Sequence, residues 1–276
     1  MTAIVQRSAN GLSYLSCDGS GPMPVVLLHG IGSNAHSFEP LMAALDGRYP
    51  TLAWHAPGYG DSQPLAVEWP DASDYAAALK RLLAHLEITR CVLVGHSLGS
   101  LMAARYALVT PERVAALFLI SPALGYSTKE GAALPPPVAA RIEELDRLGA
   151  EKFAAKRAPG LLADPSAHPD ILRAVERAMA AVRRPGYDQA ARLLAVGRLL
   201  DDAAKIEVPS AVVIGSDDRV TPTGNGHFAF AALQAYSPRR AFRIIASSGH
   251  AVCQEQPAEV ARTIVEFIEA KADAHA

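Results

Sequence analysis

Apolar residues follow two alternating rhythms along this chain. Runs at 24–29, 51–56, 91–94, 114–120, 210–214 and 241–246 are almost uninterrupted by polar residues, the pattern of strands covered on both faces. Between them apolar side chains recur at helical spacing: Phe38, Leu41, Met42 and Leu45; then Tyr75, Leu79, Leu82, Leu83 and Leu86; and finally Val260, Ile264, Phe267 and Ile268 behind Pro257. Asp71 or Ser73 is placed to cap the second of these helices, and Pro257 suits the first turn of the last. Strands alternating with helices predict a parallel sheet with helices on both faces. Two β-rich runs, 2–8 and 12–17, flank Asn10-Gly11, a pair that adopts the positive φ angles of a tight hairpin and so predicts an antiparallel edge. The expected fold class is α/β, with a mostly parallel sheet of about eight strands flanked by helices.

The alternation breaks between 122 and 206. Helical stretches at 141–148, 151–157, 170–182 and 188–200 are punctuated by Pro135-Pro136-Pro137, Pro159-Gly160, Pro165, Pro169 and Pro185-Gly186. A helical insertion is the simplest reading, with 1–121 and 207–276 forming one core domain and 122–206 a helical cap. Acidic and basic residues are interspersed through the insertion, as on solvated helix faces, without a basic docking patch. The Pro-Gly breaks predict a cap that sets substrate choice and moves relative to the sheet. A further helix is expected from 226 to 236.

Composition narrows the function classes. With 276 residues the chain can bury a large single core, and a net charge of −2 offers no general attraction to nucleic acid or an anionic membrane. No apolar run approaches membrane-spanning length. Cys17, Cys91 and Cys253 lack metal-ligand or disulfide-framework spacing; with no signal-peptide pattern at the start, a cytoplasmic setting is expected.

The candidate chemistry centres on the 91–94 run, which meets Gly95-His96-Ser97-Leu98-Gly99 and then a stretch of helical character rich in small residues. Strand, sharp turn and helix would hold Ser97 out at the carboxyl end of the sheet, with Gly95 and Gly99 allowing strand and helix to approach. A serine hydroxyl is a weak nucleophile and needs a base, an orienting acid and oxyanion donors. His250, in Gly249-His250 after a late strand, is the histidine placed to reach that edge; His29 and His96 read as positioning residues. Asp217 and Asp218 are adjacent, and only one can face the imidazole.

Together, His29-Gly30-Ile31-Gly32, Gly95-His96-Ser97-Leu98-Gly99, Gly215-x-x-Asp218-x-Val220-x-Pro222 and Gly249-His250, each after a predicted strand, resemble the α/β-hydrolase superfamily over essentially the whole chain. The resemblance implies the α/β-hydrolase fold and a Ser97–Asp218–His250 triad, selecting Asp218 by its distance from Gly215. It assigns the oxyanion hole to the Ile31 and Leu98 amides, and substrate contact to Gly30, Gly32 and His96. Neither a metal nor an organic cofactor is expected. The 122–206 segment, with Pro185-Gly186-Tyr187, looks like the cap of small bacterial esterases and 3-oxoadipate enol-lactonase-like hydrolases. The implied activity is a serine hydrolase cleaving a small carboxylic ester or lactone through an acyl-enzyme, a small molecule being the expected partner. Ser97 argues against the dehalogenases and epoxide hydrolases, whose nucleophile is an aspartate. Carbon-carbon hydrolases of aromatic ring-fission products remain an alternative, although His96 and Ala251 depart from their usual pattern. A non-catalytic ligand-binding member of the fold is a third reading, against which all three triad positions are retained.

Overall fold

A computed structural model describes residues 3–45, 47–233 and 239–270. Its strands are β1 (Val5–Ala9), β2 (Leu12–Cys17), β3 (Val25–Leu28), β4 (Thr51–Trp54), β5 (Cys91–His96), β6 (Val114–Ile120), β7 (Ser210–Gly215) and β8 (Arg240–Ile245), in one sheet ordered β1-β2-β4-β3-β5-β6-β7-β8. The pairs β1–β2 and β2–β4 are antiparallel and the others parallel. Asn10 (φ 52°) and Gly11 (φ 76°) make the hairpin turn. The first predicted run included Thr2, which lies outside the described residues.

Every residue of β3, β5 apart from its last, β6 and β7 is buried, and the two faces separate with period two. Val26, Leu28, Leu93, Leu117, Leu119 and Val212 join the core on one side of the sheet; Val25, Leu27, Val92, Val94, Phe118 and Val213 join that on the other. The second face is covered by α1 (Glu39–Ala44), entered through a 3-10 turn at Ala35–Phe38, and by the C-terminal helix Pro257–Glu269. The first is covered by α2 (Ala72–His85) and α3 (Gly99–Val109). Between the two candidate caps, the structure selects Asp71: its carboxylate accepts from Ser73 N (2.6 Å) and Asp74 N (3.3 Å), while Asp74 returns an acceptor to Asp71 N (2.9 Å), a capping box.

Between β6 and β7 lie α4 (Pro136–Arg157), α5 (Pro169–Ala180), α6 (Gly186–Val196) and α7 (Leu199–Ala203). The predicted helices 141–148 and 151–157 join as α4 across a non-helical Gly149. By contrast, the helix predicted over 188–200 is broken at Gly197, whose ψ of 144° is extended. The reason is a tertiary competitor for the last carbonyls of α6: Tyr126 N donates to Leu194 O, Thr128 N to Ala195 O and Ser127 N to Gly197 O, at 3.0–3.1 Å. Val138, Leu145, Phe153, Tyr187 and Leu193 of this segment share one apolar cluster with Leu79, Leu101 and Leu119. Arg105 on α3 pairs with the buried Asp202 of α7 at 2.8 Å. The segment thus shares the core on the first face of the sheet, while Ala158, Leu162 and Val175 gather with Ala251 in a small cluster of their own.

After β7 come α8 (Thr223–Ala232), α9 (Val252–Glu255) and α10 (Pro257–Glu269). α8 begins three residues before the expected position, directly behind Pro222; residues 234–236 of that expected helix lie outside the described residues.

Candidate active site

The carboxyl ends of β3, β5, β7 and β8 converge on one edge, and the candidate residues are attached there. Ser97 directly follows β5 with a φ of 54°, a left-handed conformation costing a non-glycine residue about 1–2 kcal/mol. Its surroundings fix it: Ser97 N donates to Ile120 O (2.9 Å), and Ser97 O accepts from Ser100 N (3.0 Å) and Ala123 N (3.2 Å). The turn is closed so tightly that a Cβ on Gly95 would lie 2.4 Å from Gly99 O, and one on Gly99 2.1 Å from Leu28 O. On the open side, a Cβ on Gly30 would stand 2.7 Å from Ser97 Cβ and 3.1 Å from its Oγ. Glycine at 30 is what exposes the hydroxyl to the loop after β3.

His250 follows β8, and its Nδ1 lies 3.0 Å from Asp218 Oδ2, with both side chains almost fully buried. The other Asp218 oxygen accepts from Val220 N and Thr221 N, each at 2.9 Å. Burial by itself raises the Asp218 carboxyl; the hydrogen bond and charge of His250 and the Thr221 amide outweigh it, holding the group well below the usual carboxylate range. Asp217 turns away, accepting from Ser216 Oγ at 2.7 Å. Thr221 was not foreseen. Its hydroxyl lies 2.9 Å from Asp218 Oδ2, 3.1 Å from His250 Nδ1 and 3.0 Å from Ser121 O, so it braces acid and base against β6. Its only sequence signal is an unspecified place inside the Gly215–Pro222 motif.

His29 is a buried support and His96 a partly buried one. The His29 Nδ1–H donates to Gly30 O (2.9 Å), and Ala56 N donates to Nε2 (3.0 Å). One nitrogen donates and one accepts, which requires a neutral ring; burial pushes its pKa down to about 3. The His96 Nε2–H donates to His250 O at 2.8 Å, and the two rings lie 4.9 Å apart. Burial, then the neighbouring His250, lowers His96 to about 4.

Gly30, Ile31, Gly32, His96, Ser97 and His250 all line one narrow cavity of about 30 Å³. Ile31, Ser97 and His250 also line a second of about 120 Å³. Leu98 is buried and is the N-cap residue of α3. Neither the Ile31 nor the Leu98 amide finds an acceptor among the loop and cap hydrogen bonds of the described residues. The structure thus brings Gly30, Ile31, Gly32, His96, Ser97 and His250 to one cavity, with Asp218 behind His250, whereas Asp217 faces Ser216. It adds Glu255, a buried carboxylate that accepts from Gly249 N (2.7 Å) and Ala163 N (2.8 Å). Ala251 N donates to Leu161 O at 2.9 Å, so the segment between β6 and β7 is stitched to the His250 loop. Among the described residues no cluster of side chains could hold a metal ion, and no helix is long and apolar enough to cross a membrane.

Residues 25–263 match the alpha/beta hydrolase family, and the chain belongs to it. An enol-lactonase from Burkholderia xenovorans LB400 superposes with a TM-score of 0.82 at 19% identity, over 96% of this chain and 100% of the other. An esterase from Thermogutta terrifontis gives 0.81 at 21% identity, over 98% of both chains. In sequence, a 2-hydroxy-6-oxononadienedioate/2-hydroxy-6-oxononatrienedioate hydrolase from Cupriavidus pinatubonensis is 27% identical, over 91% of this chain and 88% of its own.

Proposed function

We propose that this hydrolase is a serine esterase or lactonase that works through an acyl-enzyme. The observation that carries the reading is a strained Ser97 sharing its cavity with a His250 whose Nδ1 is tied to a deeply buried carboxylate. With Nδ1–H donated to Asp218, Nε2 is the basic nitrogen. It takes the Ser97 proton as Oγ attacks the substrate carbonyl, and Asp218 stabilises the imidazolium that forms. The Ile31 and Leu98 amides are assigned to the oxyanion. Loss of the alcohol with a proton from His250 leaves an ester on Ser97, and His250 then activates water to release the acid. The 122–206 segment acts as the cap that shapes the substrate pocket, consistent with Leu161, Val175 and Ala178 lining the cavity. Cys91 and Cys253 are buried free thiols, which supports a cytoplasmic setting.

The test is a panel of nitrophenyl esters of graded chain length, aliphatic lactones and a ring-fission dienoate, assayed with wild type and Ser97→Ala. Esters or lactones turned over by wild type, with negligible turnover by folded Ser97→Ala, are the expected result. Cleavage of the dienoate alone would establish the carbon-carbon alternative, and a Ser97→Ala protein near wild-type rate would sink the serine mechanism.

A further inference from the structure

Two cations belong to the wall of the larger cavity beside Ser97. Arg141, one turn into α4, and Arg157, the last residue of α4, line it together with Leu161, Met179 and Val220. Neither position carries a motif, and on the sequence both fall in a helix that reads as solvent-facing. Their charge is only partly matched. Glu144 pairs with both Lys156 and Arg157, so one carboxylate answers two cations, and Arg141 has no acidic partner among the described residues' ion pairs.

A second observation points the same way. Tyr187 is 1% exposed, and its hydroxyl is a buried polar atom with no hydrogen bond of ordinary geometry. Burial raises the Tyr187 phenol, and Arg141 opposes it foremost, through its charge and then through a side-chain contact with the hydroxyl. Tyr59, whose hydroxyl accepts from Gly32 N at 3.5 Å, is also buried and within reach of the Arg141 and Tyr187 fields. The cavity thus combines partly matched positive charge with a buried tyrosine hydroxyl beside Arg141, next to the apolar Leu161, Met179 and Val220. At about 120 Å³ it is of the size that takes a small organic group.

We infer that the substrate carries a carboxylate, separate from the bond that is cleaved, and that Arg141 with Arg157 holds it beside Ser97. A planar carboxylate matches the fork of a guanidinium, and the apolar wall suits a short aliphatic chain between that acid and the reacting carbonyl. The inference rests on the hydrolase reading above and supplies its substrate class: a small half-ester of a dicarboxylic acid, an acid-bearing lactone, or an ester of a hydroxy acid.

Matched substrates test it. Mono-4-nitrophenyl succinate against 4-nitrophenyl butyrate places the acid on the acyl side; the acetate ester of 4-hydroxybutyrate against butyl acetate places it on the alcohol side. The expected result is a kcat/KM at least about tenfold higher for the acid in one of the two pairs. Arg141→Gln should reduce that acid-to-neutral ratio by about tenfold or more, and Arg141→Lys by less. Equal rates for acid and neutral members of both pairs, or a preference that survives Arg141→Gln, would overturn the inference. Calorimetric titration of Ser97→Ala protein with the same compounds reads the arginines without turnover. Tighter binding of the acids together with no hydrolysis by wild type would overturn the esterase reading and leave the carboxylate site standing; equal affinity would overturn the site alone.

Discussion

The positions around Ser97 show how little of this site is made by side-chain chemistry alone. Asp218 spends one oxygen on two backbone amides and the other on Thr221 and His250, so it is fixed before it orients anything. Asp218→Asn would keep the shape but set an amide against Nδ1, favouring the wrong imidazole tautomer. In the serine-protease example that effect is about four orders of magnitude in kcat. We expect Asp218→Asn to lower ester kcat by about a hundredfold or more, and Asp217→Asn, whose carboxylate meets only Ser216, to stay within about threefold of wild type. Steady-state kinetics of the two folded variants decides the matter, and a larger loss at Asp217 would show that the acid has been misassigned.

At the scale of elements, the segment between β6 and β7 is tied to the His250 loop more closely than its sequence suggests. Reading 122–206 as a cap that moves relative to the sheet predicts that replacing it alters substrate range and KM more than it disrupts the Ser97–His250 relationship. The bonds from residues 161 and 163 to the 249–255 stretch argue otherwise: removing the segment would leave the Ala251 amide without its acceptor and Glu255 with Gly249 N alone. Glu255→Gln probes this connection. A glutamine offers one acceptor oxygen where two amides now donate, and its NH₂ would face the second N–H. A loss of about 1–3 kcal/mol in urea-monitored stability is expected, with a fall in kcat that exceeds any change in KM, because the group disturbed positions His250 and does not touch substrate. Unchanged kcat in a destabilised Glu255→Gln protein would make the residue a purely structural support. The strands and the positions of Ser97, Asp218 and His250 near one another were legible in the sequence because fully covered strands carry unbroken apolar runs and the elbow demands glycines at fixed places. Glu255, Thr221 and the break at Gly197 were not, because each depends on a partner distant in the chain. Arg141 and Arg157 escaped for a related reason: a helix facing a cavity and a helix facing solvent both accept arginine.

For the whole molecule, the buried imidazoles set the acid limit. His29 is pushed down to about 3, and His55 and His96 to about 4, in each case chiefly by burial. Unfolded, all three titrate near the ordinary histidine value of about 6.5. Between that pH and about 4 the unfolded chain binds protons that the folded chain refuses, so stability falls as pH falls, by up to about 1.4 kcal/mol per pH unit for each ring. Asp218 acts lower down: its depressed pKa contributes stability that is present above about pH 4 and is lost below it. We expect a drop in Tm on the order of 10 °C between pH 6.5 and pH 5; a flat Tm across that interval would mean that these rings accept protons in place.

The stitching of residues 161–163 to the 249–255 stretch also bears on how such a protein can diversify. Where a specificity element and a catalytic base share backbone bonds, the element is not an interchangeable module. Grafting the 122–206 segment of a relative onto this sheet would import a new pocket together with a new setting for His250. New selectivity would then arrive with impaired turnover, until the contacts to Gly249 and Ala251 were rebuilt. Variation confined to side chains that face the cavity, such as those at 141 and 179, leaves those bonds intact and is the shorter route to a new substrate.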